Sequence, residues 1–263
     1  MKSLTFIQRL SEGLFFEPDE RSYWRPDILG YHFEEASQTT IVGHPPTNFL
    51  IIEPSKEEIG TVIFTTDGSK NMSAHLPQVL WLCDLGLKVI LYDIPGFGKY
   101  EGELNLEIFM ELSKEAIGYA SQNFSFSPFI LYGKFIGSLP TLAIASQLKK
   151  APNLVIVENC FYEFKTYLIS RYGPGIGHVI SSFIPGMIEP SAFLSQASLP
   201  TLVLFSDRER VQPSEYKKIS QIKNSKLSFI DFSNESSTLR NPTIQSKLVN
   251  TILESVLEAQ NKS

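Results

Sequence analysis

The sequence predicts an α/β protein: a mostly parallel central sheet, an antiparallel N-terminal meander and helices on both faces. Three observations predict it. Short, largely apolar runs at Thr61–Thr65, Lys88–Tyr92, Phe129–Tyr132, Leu154–Val157, Thr201–Phe205 and Leu227–Phe232 have the length and composition of strands buried on both faces. Helical periodicity lies between several of them, the arrangement that winds a parallel sheet by right-handed crossovers. No linker with a shift of composition divides the series, so residues 1–263 are expected to form a single domain, with 164–193 a short, Gly- and Pro-rich cap insertion.

Taken in order, Leu4, Phe6, Ile7, Leu10, Leu14 and Phe15 give an amphipathic helical face, expected to pack on the core or on the sheet edge and ended by Pro18. Tyr31–Ala36, Thr39–Val42 and Phe49–Ile52 read as short strands of the meander. Leu76, Val79, Leu80, Leu82, Cys83 and Leu85 mark a helix ending at Gly86. Phe109–Asn123 and Ile244–Leu257 are two further helices.

The chain is organised around Phe129–Ser138, reading Phe-Ile-Leu-Tyr-Gly-Lys-Phe-Ile-Gly-Ser. A strand turns sharply into a helix between glycines four apart, Gly133 and Gly137, where a β-carbon would collide with the closely packed turn. This is the spacing of a nucleophile elbow, G-x-S-x-G, which thrusts its middle residue out at the top of the sheet. The middle residue here is Phe135, and a phenyl ring has no nucleophilic atom.

Composition narrows the partners. A net charge of −5 with no basic run argues against nucleic acid and against an anionic membrane surface. Cys83 and Cys160, in apolar surroundings on separate elements, read as reduced core thiols, not as a disulfide or a metal site. No window reaches the ~20 apolar residues of a membrane span, and Met1–Phe16 lacks the continuous apolar stretch and cleavage site of a secretion signal. A cytoplasmic protein without cofactor or metal is expected. Gly96-Phe97-Gly98 is not a dinucleotide fingerprint, because Glu101 stands where the third glycine belongs.

With these residues on view, the chain resembles the α/β-hydrolase superfamily, most of all the small serine hydrolases related to membrane-associated protein depalmitoylases. Thr61–Ser73 is similar to the strand and His-Gly-Asn loop that supplies an oxyanion-hole amide, Val89–Gly102 to the Asp-x-x-Gly-x-Gly-x-Ser-x-Gly turn, Phe129–Ser138 to the elbow, and Pro200–Pro213 to the strand and loop carrying the triad acid. The resemblance implies oxyanion-type amides at Gly68, Ser69 and Ile136, and triad positions at Phe135, at Glu209 (with Asp207 beside it) and at Glu235.

Serine and histidine are therefore missing from that triad, since none of His32, His44, His75 and His178 follows Glu209. The remaining candidates are weaker. Ser138, one turn into the helix, should point away from the apex. Cys160, at the C-terminal end of its strand, has no neighbouring histidine to lower its pKa. His178 belongs to the cap and reads as a surface residue. Asp207, Glu209 and Glu235 would make at most a weak hard-cation site.

The expectation is a non-catalytic pseudohydrolase that binds a small apolar ligand at the old site or a protein partner over the cap. Two alternatives stand beside it: an ester or thioester hydrolase with Cys160 or Ser138 as displaced nucleophile, and a lyase-type enzyme holding an oxyanion on the loop amides with Glu209 or Glu235 as base. Phe135 is expected to sit under cap residues such as Ile176, Ile180 and Phe183.

Overall fold

In the computed structural model, residues 15–39, 45–100, 102, 104–124, 128–182, 189–206, 211–231 and 242–261 are described. Eight strands form one sheet: β1 (Phe33–Gln38), β2 (Thr47–Ile52), β3 (Gly60–Thr65), β4 (Leu87–Tyr92), β5 (Phe129–Lys134), β6 (Leu154–Glu158), β7 (Thr201–Phe205) and β8 (Leu227–Asp231), in the spatial order 1-2-4-3-5-6-7-8. β1 pairs antiparallel with β2 and β2 with β4; every later pairing is parallel. This is the mostly parallel sheet with an antiparallel N-terminal edge that the apolar runs imply. Thr40–Val42, expected as part of a strand, lie outside the described residues, and Thr39 is not in one.

Among the described residues there are eight α-helices: α1 (Met72–Asp84), α2 (Leu106–Asn123), α3 (Ser138–Ala145), α4 (Phe164–Tyr172), α5 (Pro174–Ser181), α6 (Pro190–Ser195), α7 (Pro213–Ser220) and α8 (Pro242–Gln260). Asn71 and Asn105 start α1 and α2 by accepting from the amides of Ser73 and Ile108, the usual use of a short amide side chain at a helix N-terminus. The two-residue period of the strands divides the core. Val62 and Phe64 pack with Leu76 and Val79 of α1 and with Leu248, Ile252 and Val256 of α8, whereas Ile63 joins Phe109 and Ile117 of α2 and Leu139 of α3. The stretch between β6 and β7 carries α4, α5 and α6, with residues 183–188 outside the described part.

Phe15 is not helical, a departure from the amphipathic-helix expectation; residues 1–14 lie outside the described part. Phe15–Arg21 instead runs as an extended strap over the ends of β3 and β4. The Glu17 amide donates to the Gly68 carbonyl (2.8 Å) and the Lys70 amide to the Glu17 carbonyl (3.0 Å). Asn71 Nδ2 holds the Asp19 and Arg21 carbonyls at 2.9 and 2.6 Å. Both Phe15 and Phe16 are buried.

Candidate functional site

The turn after β5 keeps the elbow backbone. Phe135 has φ +48°, the left-handed region that a bulky side chain enters only at a cost of about 1–3 kcal/mol. The flanking glycines make the turn possible. A Cβ on Gly133 would stand 2.5 Å from both the Gly137 carbonyl oxygen and Thr141 Oγ1, and one on Gly137 would stand 2.3 Å from the Thr66 carbonyl oxygen.

The apex side chain does not face open space. Phe135 is 3% exposed, and its ring lies 5.5 Å from Tyr167, 5.8 Å from Phe161 and 6.4 Å from Phe15, centroid to centroid. Phe164 completes the group, 4.8 Å from Phe161 and 5.5 Å from Phe15. Edge-to-face pairs such as Phe135–Tyr167 and Phe161–Phe164 contribute ~0.5–1.5 kcal/mol each beyond their burial. Five rings from the strap, the elbow, the end of β6 and α4 therefore fill the space above the turn.

The cover differs from the sequence expectation. Ile176 is 62% exposed on α5 and does not shelter Phe135. Ile180 is half-buried against the main core, and Phe183 lies outside the described residues. The strap's Phe15 and the β6–α4 rings do the covering instead.

The three loop amides are in different situations. The Ser69 amide already donates to Asp67 Oδ1 (3.0 Å), and the Ser69 hydroxyl donates to the same oxygen (2.5 Å). Gly68, at φ +77°, has Phe15 and Ile136 packed against it so closely that a Cβ would meet the Phe15 carbonyl oxygen at 2.6 Å and Ile136 Cγ2 at 2.8 Å. Ile136 is fully buried. Gly68 therefore lies against Ile136 beside the Phe135 turn, with the strap's Phe15 packed over it.

Neither displaced nucleophile is poised. Ser138 is fully buried and its hydroxyl donates back to the Gly133 carbonyl (3.1 Å). Burial pushes the Cys160 thiol up to about 12, with the nearby Ser138 hydroxyl opposing it, so the sulfur stays protonated at neutral pH. His178 is exposed on α5. His75, in α1, is buried, and burial holds its imidazole below the ordinary range; Nε2 lies 2.7 Å from the Ser69 carbonyl and is taken up there. Asp207, Glu209 and Glu235 lie outside the described residues.

Two polar groups that sequence reasoning missed border the elbow at the strand ends. Lys134 Nζ bonds Gln78 Oε1 at 2.8 Å and stands 3.8 Å from Asp67 Oδ2. The Tyr132 phenol donates to Glu158 Oε2 (2.5 Å), whose other oxygen accepts from the Ser206 hydroxyl (2.6 Å). Burial and that carboxylate hold the Tyr132 proton in place far into the alkaline range. The only sequence signal for these networks was polar residues ending otherwise apolar strands.

The overall course of the chain matches solved hydrolases. It superposes on an α/β hydrolase from Vibrio vulnificus with a TM-score of 0.74 at 13% identity, over 97% of this chain and 95% of that one. This is the α/β-hydrolase fold. An esterase from Pyrococcus furiosus gives a TM-score of 0.71 at 14% identity, over 94% of this chain and 97% of that one. In sequence, the uncharacterized protein YfhR of Escherichia coli O157:H7 is 24% identical over 219 residues, which are 81% of this chain and 74% of YfhR. No protein-family model matches the chain.

Within the α/β-hydrolase fold, the turn after β4 carries a testable electrostatic cost. Asp93 is buried, accepts one hydrogen bond from the Met72 amide (2.8 Å), and burial raises its carboxyl to about 6. A carboxyl whose native pKa is above its unfolded value of about 3.9 binds its proton more tightly in the folded state. Its contribution to stability is complete below about pH 4 and is lost as pH rises through about 6, a change of roughly 2–3 kcal/mol. Asp93→Asn keeps an acceptor for Met72 and removes the charge. Urea titrations between about pH 4 and 8 should show the variant losing that slope and exceeding the parent at the alkaline end. Equal slopes in both proteins would contradict the assignment.

Proposed function

We propose that this chain is a non-catalytic α/β-hydrolase-fold protein, a pseudohydrolase whose role is binding. The observation that carries the reading is the Phe135 ring, buried at the elbow apex among Phe15, Phe161 and Tyr167 where a nucleophile would need access to solvent and substrate. No cofactor enters this reading. A small apolar ligand at the elbow would have to displace Phe15, so a protein partner over the cap face is favoured, where Ile176 and Val179 stand 62% and 60% exposed on α5. Among the described residues no helix is long and apolar enough to cross a membrane, and we assign the protein to the cytoplasm on its sequence.

The competing reading, ester or thioester hydrolysis through Cys160 or Ser138, is supported by the esterase likeness of the fold. It is weakened by a protonated thiol and an engaged hydroxyl, because a nucleophile needs a base or a depressed pKa. Turnover of short p-nitrophenyl esters decides between the two. No hydrolysis above the buffer rate is expected; saturable hydrolysis by repurified protein would replace the proposal with the competing reading.

A further inference from the structure

The loop between β3 and α1 anchors the strap. Gly68 accepts from the Glu17 amide, the Lys70 amide donates to Glu17, and Asn71 Nδ2 holds the Asp19 and Arg21 carbonyls. His75, in the first turns of α1, ties this loop to the helix: its Nε2 lies 2.7 Å from the Ser69 carbonyl oxygen. A carbonyl only accepts, so Nε2 carries the ring proton and Nδ1 presents a bare lone pair. Nδ1 is buried and has no hydrogen-bond partner among the described residues. The nearby Gln78, one turn along α1, is engaged through Oε1 by Lys134 (2.8 Å). A buried polar atom left unpaired is uncommon, and this one is where a second proton would go.

Two charged groups act on the ring. Asp67 Oδ1, in the loop, lies 3.6 Å from Nε2, and Lys134 Nζ, at the end of β5, stands 3.8 Å from Asp67 Oδ2. The Phe64 ring of β3, 6.2 Å away between centroids, adds an apolar wall. With a neutral imidazole, one carboxylate balances one ammonium. A proton on Nδ1 sets two cations against that carboxylate, which already accepts from the Ser69 amide and hydroxyl. Burial opposes the added charge and Asp67 offsets it only in part, so the imidazole is held below its ordinary range. A ring that takes a proton less readily when enclosed than when wetted makes the open loop more favourable as pH falls.

We propose that His75 is an acid-released latch on the strap. With Nδ1 bare, it holds the loop, and through the loop the strap that covers Phe135; with Nδ1 protonated, the loop opens to hydrate the imidazolium and the strap lifts. The closed form is complete above about pH 6.5, the ordinary value of a wetted imidazole, and is lost progressively below it, because the enclosed ring titrates lower. Asp93, bonded to the Met72 amide at the start of the same helix, titrates in this range with the opposite effect: burial raises its carboxyl to about 6, so acid favours its folded form. The latch controls access to the elbow and does not depend on whether the elbow binds a ligand or catalyses a reaction.

The test is amide hydrogen exchange of the full chain, followed by NMR from about pH 7.5 to about pH 5 with each rate corrected for its intrinsic pH dependence. Protection of the Glu17 and Lys70 amides should fall by about tenfold or more across that range, while the Leu131 amide in β5 keeps its protection. His75→Gln retains a donor for Ser69 and takes no proton, and its protection should stay level. Asp93→Asn should loosen at least as much as the parent. Lys134→Met leaves the imidazolium with Asp67 alone and should shrink the fall, an independent arm that stands even where His75→Gln does not fold. Constant protection in the parent, an equal fall at Leu131, or a fall as large as the parent's in folded His75→Gln or in Lys134→Met would each overturn the proposal.

Discussion

Phe135→Ala should lower the urea midpoint by an amount corresponding to about 3–5 kcal/mol, the usual cost of truncating a buried Phe. Alanine keeps a β-carbon at φ +48°, so the backbone strain is the same in both proteins and the difference reports the ring alone. The ring is enclosed by Phe15, Phe161 and Tyr167 from three separate parts of the chain, and those parts are too constrained to collapse fully into the space left behind. The variant's cavity should accept benzene, which would raise the melting temperature of Phe135→Ala and leave the parent unchanged. A midpoint unaltered by the truncation would mean that the ring is not enclosed and that the cleft above the elbow is open.

Gly137→Ala should be nearly as damaging, for a different reason. Gly137 has φ −64°, an ordinary helical value at which alanine is locally favoured. Its β-carbon would nevertheless stand 2.3 Å from the Thr66 carbonyl oxygen and 2.6 Å from that of Thr65, both backbone atoms at the end of the central strand β3. A backbone cannot swing aside as a side chain can, so α3 must lift from the sheet, at a cost of about 3 kcal/mol or more. Gly118→Ala is the control. It lies within α2 with no atom near its missing β-carbon, and should be neutral or stabilise by up to ~1 kcal/mol. If both substitutions behaved alike, the close approach of α3 and β3 would be refuted.

The elbow was legible in the sequence because its requirement is local. Two glycines four apart after Phe129–Tyr132 state a steric condition that needs no knowledge of distant residues, and β3 to β7 were legible because strands buried on both faces are near-continuous apolar runs. The closure of the site was not legible. Phe15 lies far from Phe135 in sequence, and its apolar neighbours suggested a helix face, whereas the chain runs extended there and pairs with Gly68 and Lys70. Ile176 failed for a related reason. Its spacing with Val179 fits a helix with an apolar face, but periodicity does not say toward which side that face turns. The Ser69 amide was assigned to an oxyanion role by its place in the loop, and the short side chain of Asp67 captures it instead.

The measurement that bears most directly on the central claim is steady-state hydrolysis of p-nitrophenyl acetate by the parent protein and by Cys160→Ala and Ser138→Ala. An elbow closed by Phe135, with a protonated thiol and an engaged hydroxyl behind it, predicts three indistinguishable rates at the level of buffer alone. Saturable turnover that survives repurification and disappears in either variant would contradict it, and would place a working nucleophile beneath the rings.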